Sequence, residues 1–251
     1  MRTMKWKTQI RRFYQKLLSS LGQCDLCGNH LPPASENKCA QSLLCSYCLA
    51  ELPLFKQSVI QADLLNWPAI NKALPKVAFD HLFCLSPYLP PFNQWLVQFK
   101  YQGRFELGSL FAYLLAKQWL QQPSTLQCVP VDMVFSVPLH LSKWQIRGYN
   151  QAHLIAKAFA QHLQLPYDDS ALVRVKKNQS QVGQTGNQRR SNLANAFTLT
   201  KALSNPIRHV ILIDDVLTTG STASEISKLL KNSGIAKVTV VAVCLTLPST
   251  V

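Results

Sequence analysis

Thirteen residues constrain the fold of this chain more than any other stretch: Val210-Ile211-Leu212-Ile213-Asp214-Asp215-Val216-Leu217-Thr218-Thr219-Gly220-Ser221-Thr222. Four consecutive apolar residues, Val210 to Ile213, specify a strand buried on both faces, the environment of a central strand in a parallel sheet. Asp214 and Asp215 follow at the strand's C-terminal end, the edge where open α/β sheets bind ligands. The small residues from Thr218 to Thr222 then turn the chain into a helix. Backbone N–H groups and hydroxyls thereby converge on a helix N-terminus suited to a phosphate. Thr222, with Glu225 three residues on, reads as a capping box that sets the helix start. An ordinary strand–turn–helix would leave the paired carboxylates and the hydroxyl cluster without a purpose. Beside an anion site, an acidic pair makes sense if it holds sugar hydroxyls or a metal.

The residues from 77 onward alternate strand-like and helical segments, the signature of an α/β domain with a mostly parallel sheet. Strands are expected over 78–87, 132–137, 171–175, 208–213 and 237–245. Helices are expected over 91–100, 105–121, 147–164 and 222–232, the last closed by Gly234. The thirteen-residue stretch closely resembles the phosphoribosyl pyrophosphate (PRPP) motif of type I phosphoribosyltransferases. That resemblance implies their fold over 77–251, a mostly parallel sheet with flanking helices. It puts Asp214 and Asp215 on the ribose hydroxyls, Thr218, Thr219, Gly220, Ser221 and Thr222 around the 5′-phosphate, and Mg²⁺ beside PRPP. Binding PRPP and turning it over are separate properties.

A second module precedes this domain. Cys24-Asp25-Leu26-Cys27 and Cys45-Ser46-Tyr47-Cys48 form two Cys-x-x-Cys knuckles with seventeen residues between the inner cysteines, the spacing of a zinc ribbon. Four thiolates close a tetrahedron around Zn²⁺ and leave no open position, so the site is expected to be structural, over 24–52. Cys39, inside the same loop, is a competing ligand. Two knuckles in tandem without a surrounding βαβ pattern argue against a redox dithiol. Cys84, Cys128 and Cys244 lie in apolar stretches and read as core residues.

The chain has 251 residues, with 26 Lys and Arg against 12 Asp and Glu, a formal net charge of +14. Such a surface favours phosphate-rich partners or anionic membranes. The excess sits in two acid-free blocks. Residues 1–23 carry Arg2, Lys5, Lys7, Arg11, Arg12 and Lys16. Residues 170–213 carry Arg174, Lys176, Lys177, Arg189, Arg190, Lys201 and Arg208. The first block spaces Trp6, Ile10, Phe13, Tyr14, Leu17, Leu18 and Leu21 by threes and fours, predicting a basic amphipathic helix. It would touch nucleic acid or anionic lipid, or dock on the cysteine module. No secretory signal is evident, so a cytoplasmic protein is expected. Pro53, Pro68 and Pro75 mark 53–76 as a linker.

A run of features in fixed order resembles the ComF/GntX family from residue 24 onward. They are the Cys-x-x-Cys pair, Phe99-Lys100-Tyr101, Val137-Pro138-Leu139-His140, Arg147-Gly148-Tyr149-Asn150-Gln151, Arg174 with Arg189 and Asn192, and the PRPP motif. The resemblance implies a part in natural transformation, beside single-stranded DNA entering the cytoplasm and possible contact with inner-membrane uptake machinery. It makes Pro138, Leu139, His140 and Arg147 pyrophosphate-loop residues, though Pro138 offers no N–H. Lys176, Lys177, Arg189 and Arg190 lie among Gln, Asn, Ser and Gly. They read as a basic loop that closes over departing pyrophosphate or grips a nucleic-acid backbone. Lys100 and Arg104, interleaved with Phe99, Tyr101 and Phe105, supply charge beside stacking surfaces, as do Lys143 and Arg147 with Trp144 and Tyr149. Two functions are therefore expected to compete: binding of single-stranded DNA together with PRPP or a related phosphate, and phosphoribosyl transfer to a nitrogenous base.

Overall fold

The computed structural model of the chain describes residues 22–31, 43–56, 63–74, 76–122, 129–139, 141–175, 196–201 and 207–246. The chain divides into two units, Met1–Leu52 and Pro53–Val251. The expected N-terminal helix, Cys39, Cys128, His140, Lys176, Lys177, Arg189, Arg190 and Asn192 fall outside the described residues.

In the smaller unit, a turn containing Cys24 and Cys27 is closed by an antiparallel bridge between Gln23 and His30. Gly28 takes φ 72, a backbone region that favours glycine. The second knuckle opens a one-turn helix, α1 (Ser46–Ala50), whose N-cap is Cys45. Among the described residues of this unit only Cys24, Leu44, Cys48 and Leu52 are buried apolar groups.

The larger unit runs α2 (Pro68–Ala73), β1 (His81–Pro87), α3 (Phe92–Tyr101), α4 (Glu106–Leu120) and β2 (Met133–Ser136). It continues with α5 (Leu141–Arg147), α6 (Gln151–Leu163), β3 (Leu172–Arg174), β4 (Phe197–Leu199), β5 (His209–Leu217), α7 (Ser221–Asn232) and β6 (Lys237–Leu245). Four strands form one sheet in the order β1-β6-β5-β2, every pair parallel. Side chains alternate across it. Leu82, Cys84, Phe135, Val210, Leu212, Val240 and Ala242 share a core with Ala223, Ile226 and Leu230 of α7. Phe83, Val134, Ile211 and Ile213 face the opposite way, where α4 and α6 pack on β1, β2 and β5. Burial on both faces is why Val210 to Ile213 carries no polar residue.

Several expectations change. β5 ends at Leu217, not 213, because β6 stays paired with it through Asp214↔Ala242, Val216↔Cys244 and Leu217↔Leu245. The carboxylates therefore ride on the strand itself. The helix expected over 147–164 starts only at Gln151, and a separate helix that was not expected, α5, ends at Arg147 before Gly148 with φ 77. Asn150 caps α6 by accepting from Ala152 N. The passage expected as a linker, 53–76, contributes Phe55, Leu64, Ile70 and Leu74 to the larger unit's core. Asp63 fixes it there, accepting from Leu82 N at 3.0 Å and pairing with His81 at 2.7 Å. The strand expected over 171–175 lies outside the main sheet, in an antiparallel pair with β4.

Candidate functional site

The β5–α7 turn is built on a glycine. Gly220 takes φ 66, and a Cβ there would stand 3.4 Å from Val77 Cγ1 and 3.5 Å from Leu74 Cδ2. Those are ordinary van der Waals distances, so it is the left-handed φ rather than the apolar floor that calls for glycine. Gly220 is also the N-cap of α7, and no side chain caps the helix. The expected capping box is thus absent. Thr222 lies inside the first turn, and Glu225 pairs instead with Lys228 at 2.6 Å. Ser221 N makes a long contact to Thr219 Oγ1, 3.5 Å, and the first-turn N–H groups after it are left available to an anion beside Thr219 and Ser221, whose hydroxyls lie 2.9 Å apart.

Asp214 Oδ1 accepts from Asp215 N at 2.8 Å. Dense surroundings, and then the charge of Asp215, push the Asp214 carboxyl up to about 7. Lys100, from the last turn of α3, reaches Asp215 Oδ1 at 2.9 Å, the two side chains being 19% and 14% exposed. A raised folded-state value means that the folded protein holds more protons than the unfolded chain between about pH 4 and 7. Stability from this group therefore falls as pH rises through that window. Asp214→Asn is accordingly expected to melt higher than the parent at pH 8, with the gain vanishing near pH 4. An unchanged difference across that range in thermal melts would contradict this.

Of the pyrophosphate-loop candidates, Pro138 and Leu139 follow the end of β2, the strand next to β5 in the sheet. Val137 N donates to Ile213 O at 2.8 Å, and Asn150 Nδ2 to Val137 O at 3.0 Å. Pro138 and Leu139 form one wall of a cavity of about 690 Å³, with Trp144, Asn150, His153, Asp169 and Arg174 around it. Beneath it Tyr167 OH lies 3.0 Å from Ser136 Oγ and 2.8 Å from His153 Nδ1. Arg174 lies over the Phe197 ring at 5.3 Å, and its buried Nε and Nη2 have no hydrogen-bond partner among the described residues.

The other basic candidates divide. Arg147 stacks on Tyr101 at 5.0 Å, donating to its hydroxyl at 3.0 Å and to Gln151 Oε1 at 3.2 Å. Arg104 is engaged by Glu106 and Gln98, each at 2.8 Å. Phe99 is core and accepts from the Tyr149 hydroxyl, whereas Tyr101 and Trp144 are exposed. Lys143 is pushed below the usual lysine range, first by its packing and then by Arg147 and Arg174, so these cations share one neighbourhood. Sequence reasoning missed the contact of Lys100 with the acidic pair and the place of Arg174 in the cavity wall. The only signal for either was membership in the ordered blocks.

In the smaller unit the Sγ atoms of Cys24, Cys27, Cys45 and Cys48 all lie within 4.8 Å of one another, so the group could hold a metal ion. Cys27 and Cys45 are 3.8 Å apart, close to the edge of a tetrahedron with metal–sulfur bonds of about 2.3 Å. Burial would raise the Cys24 thiol, but N–H groups of Cys27, Cys45 and Leu26 outweigh it and lower it to about 6. Burial and the other three thiols push Cys48 up.

The family described as phosphoribosyl transferase domain matches residues 150–250. The chain is 31% identical over 228 residues to competence protein F of Haemophilus influenzae, covering 90% of this chain and 86% of that one. The chain belongs to the competence protein F family. DNA utilization protein YhgH of Escherichia coli K12, 31% identical over 81% of this chain and 91% of its own, is similar to the same extent. Among solved structures, glutamine PRPP amidotransferase from B. subtilis matches with a TM-score of 0.38 at 18% identity, over 58% of this chain and under a third of that one, 30%. Adenine phosphoribosyltransferase from Leishmania tarentolae matches with a TM-score of 0.34 at 15% identity, over 53% of this chain and 70% of that one. The parallel sheet with helices on both faces is the phosphoribosyltransferase fold expected of a competence protein F relative.

Proposed function

We propose that this chain acts in DNA uptake or utilization, binding single-stranded DNA through its basic surfaces and PRPP, or a closely related phosphate, at the acidic pair. The observation that carries this reading is the juxtaposition of Asp214 and Asp215 on β5 with the uncapped N-terminus of α7, in a chain of net charge +14. The carboxylates accept hydrogen bonds from ribose hydroxyls, and the N–H groups and hydroxyls from Thr218 to Thr222 take the 5′-phosphate. The turn at Pro138 and Leu139 faces the pyrophosphate, with Arg147, Lys143 and Arg174 supplying charge. Zn²⁺ in the four-cysteine group is structural, since four thiolates complete its shell. Among the described residues no helix is long and apolar enough to cross a membrane. Contact with a membrane or an uptake machine is assigned to the basic N-terminal segment on its sequence, in which Arg11, Arg12 and Lys16 interleave with Ile10, Phe13 and Leu17.

A second reading is transfer of the phosphoribosyl group from PRPP to a nitrogen nucleophile. It is favoured by the cavity beside the Pro138–Leu139 turn. Apolar walls of Leu139, Trp144, Leu154 and Leu172, edged by Asn150, His153 and Asp169, suit a planar base.

The test is binding of a fluorescent single-stranded oligonucleotide as salt is raised, with and without PRPP. Each phosphate neutralised contributes about −0.7 to the slope of log affinity on log salt, so four contacts give a slope near −3. A steep slope together with a PRPP-dependent shift supports the joint reading. Absence of binding at low salt removes the DNA part and leaves the second reading.

A further inference from the structure

The inference below rests on the reading of Asp214 and Asp215 as a ligand-binding pair and concerns the cation that accompanies them. Lys100 and Asp215 are separated by 115 positions, yet the ammonium meets Oδ1 at 2.9 Å with both side chains mostly covered. A lysine in the last turn of a helix is ordinarily solvated, and ordering its long side chain costs conformational entropy. Here α3 is anchored by Phe92, Trp95, Leu96 and Phe99 in the core, and this aims Lys100 at the end of β5.

The donor set is already partly committed before any divalent ion arrives. A protein-held Mg²⁺ takes one or two carboxylates with several waters and substrate phosphates, in octahedral geometry. At this site one Asp214 oxygen already accepts from Asp215 N, and one Asp215 oxygen is occupied by an ammonium. We propose that Lys100 is the resident cation of the acidic pair, a positioning residue that neutralises and orients Asp215 so that PRPP binds without a divalent ion held beforehand by the protein. An ammonium has three N–H donors, so Lys100 can keep Asp215 while donating to a ligand oxygen. Any Mg²⁺ then arrives on the ligand's own phosphates rather than being recruited by Asp214 and Asp215.

Among the described residues, the titratable groups near this ion pair are Asp214 on the same strand, Cys84 from β1, Cys244 from β6 and Lys143 from α5, whose charge is felt with that of Lys100. Burial pushes both thiols up, Cys244 to about 12, so they stay neutral beside the pair.

The experiment compares the full-length protein with Lys100→Met and Lys100→Arg by calorimetric titration of PRPP, in EDTA and in millimolar MgCl₂. The parent is expected to bind in EDTA within about threefold of its affinity in Mg²⁺. Lys100→Met should lose about tenfold in EDTA, the worth of one charge-assisted hydrogen bond, and recover part of it in Mg²⁺. Lys100→Arg should stay near the parent. Binding by the parent only with Mg²⁺, or an equal Mg²⁺ response in parent and Lys100→Met, overturns the proposal. If the parent gives no PRPP heat in either buffer, the PRPP reading itself fails, and ligand-free thermal melts decide the role of Lys100.

Discussion

Removing the proposed metal from the four-cysteine unit under reducing conditions is expected to unfold residues 22–31 and 43–52 while leaving the secondary structure of the larger unit intact. The described part of the smaller unit has one five-residue helix, one isolated bridge and four buried apolar groups, two of them cysteines. Burial on that scale cannot offset the entropy of ordering the segment. Structural zinc supplies about 10–16 kcal/mol to modules of this kind, so its loss is decisive for the unit. The larger unit keeps its own core, in which Phe135, Val210, Leu212 and Ile226 are fully buried. Hydrogen exchange resolved by segment, with metal content measured in parallel, checks this. Protection should vanish in 22–31 and 43–52 and persist in β5 and β6. Cys24→Ser or Cys48→Ser should reproduce the effect, and Cys84→Ser should not. Unchanged protection in the metal-free protein would show that the unit folds without an ion.

The double substitution Asp214→Asn/Asp215→Asn should lower PRPP affinity by at least about 100-fold, since two charge-assisted hydrogen bonds of roughly 1.5–3 kcal/mol each are lost. Affinity for single-stranded DNA at fixed salt should change little, because no phosphate contact is assigned to the carboxylates. The variant should remain folded, because β5 stays paired on both sides by its backbone. Oligonucleotide anisotropy and PRPP calorimetry on the same preparation separate these effects. Parallel loss of both ligands would mean that they share the carboxylates.

The strands and the longer helices were legible in the sequence because each leaves a local pattern. Val210 to Ile213 is apolar on both faces, and β1 and β6 fall within a few residues of the segments expected for them. The turn from Thr218 to Thr222 was legible for the same reason, since its chemistry is contiguous. The capping box was misread because Thr222 and Glu225 have the right spacing, while the left-handed Gly220 starts the helix one residue earlier. The helix Leu141–Arg147 was not legible because its described apolar residues, Trp144 and Ile146, face solvent and mark no buried stripe. Lys100 against Asp215 had no local signal at all, because its partner is brought to it by packing of α3 rather than by sequence neighbours. The residues read as linker contain Leu64, Ile70 and Leu74, whose burial depends on surfaces contributed from elsewhere in the unit. Three prolines gave the passage its linker-like look.

Titration of PRPP into the unmodified full-length protein, followed by calorimetry, bears most directly on what the acidic pair and its loop are for. One saturable site per chain is expected, with its heat removed by Asp214→Asn/Asp215→Asn. No saturable heat at millimolar PRPP, or identical isotherms for the two proteins, would mean that the acidic pair and the Thr218–Thr222 turn do not form a PRPP site.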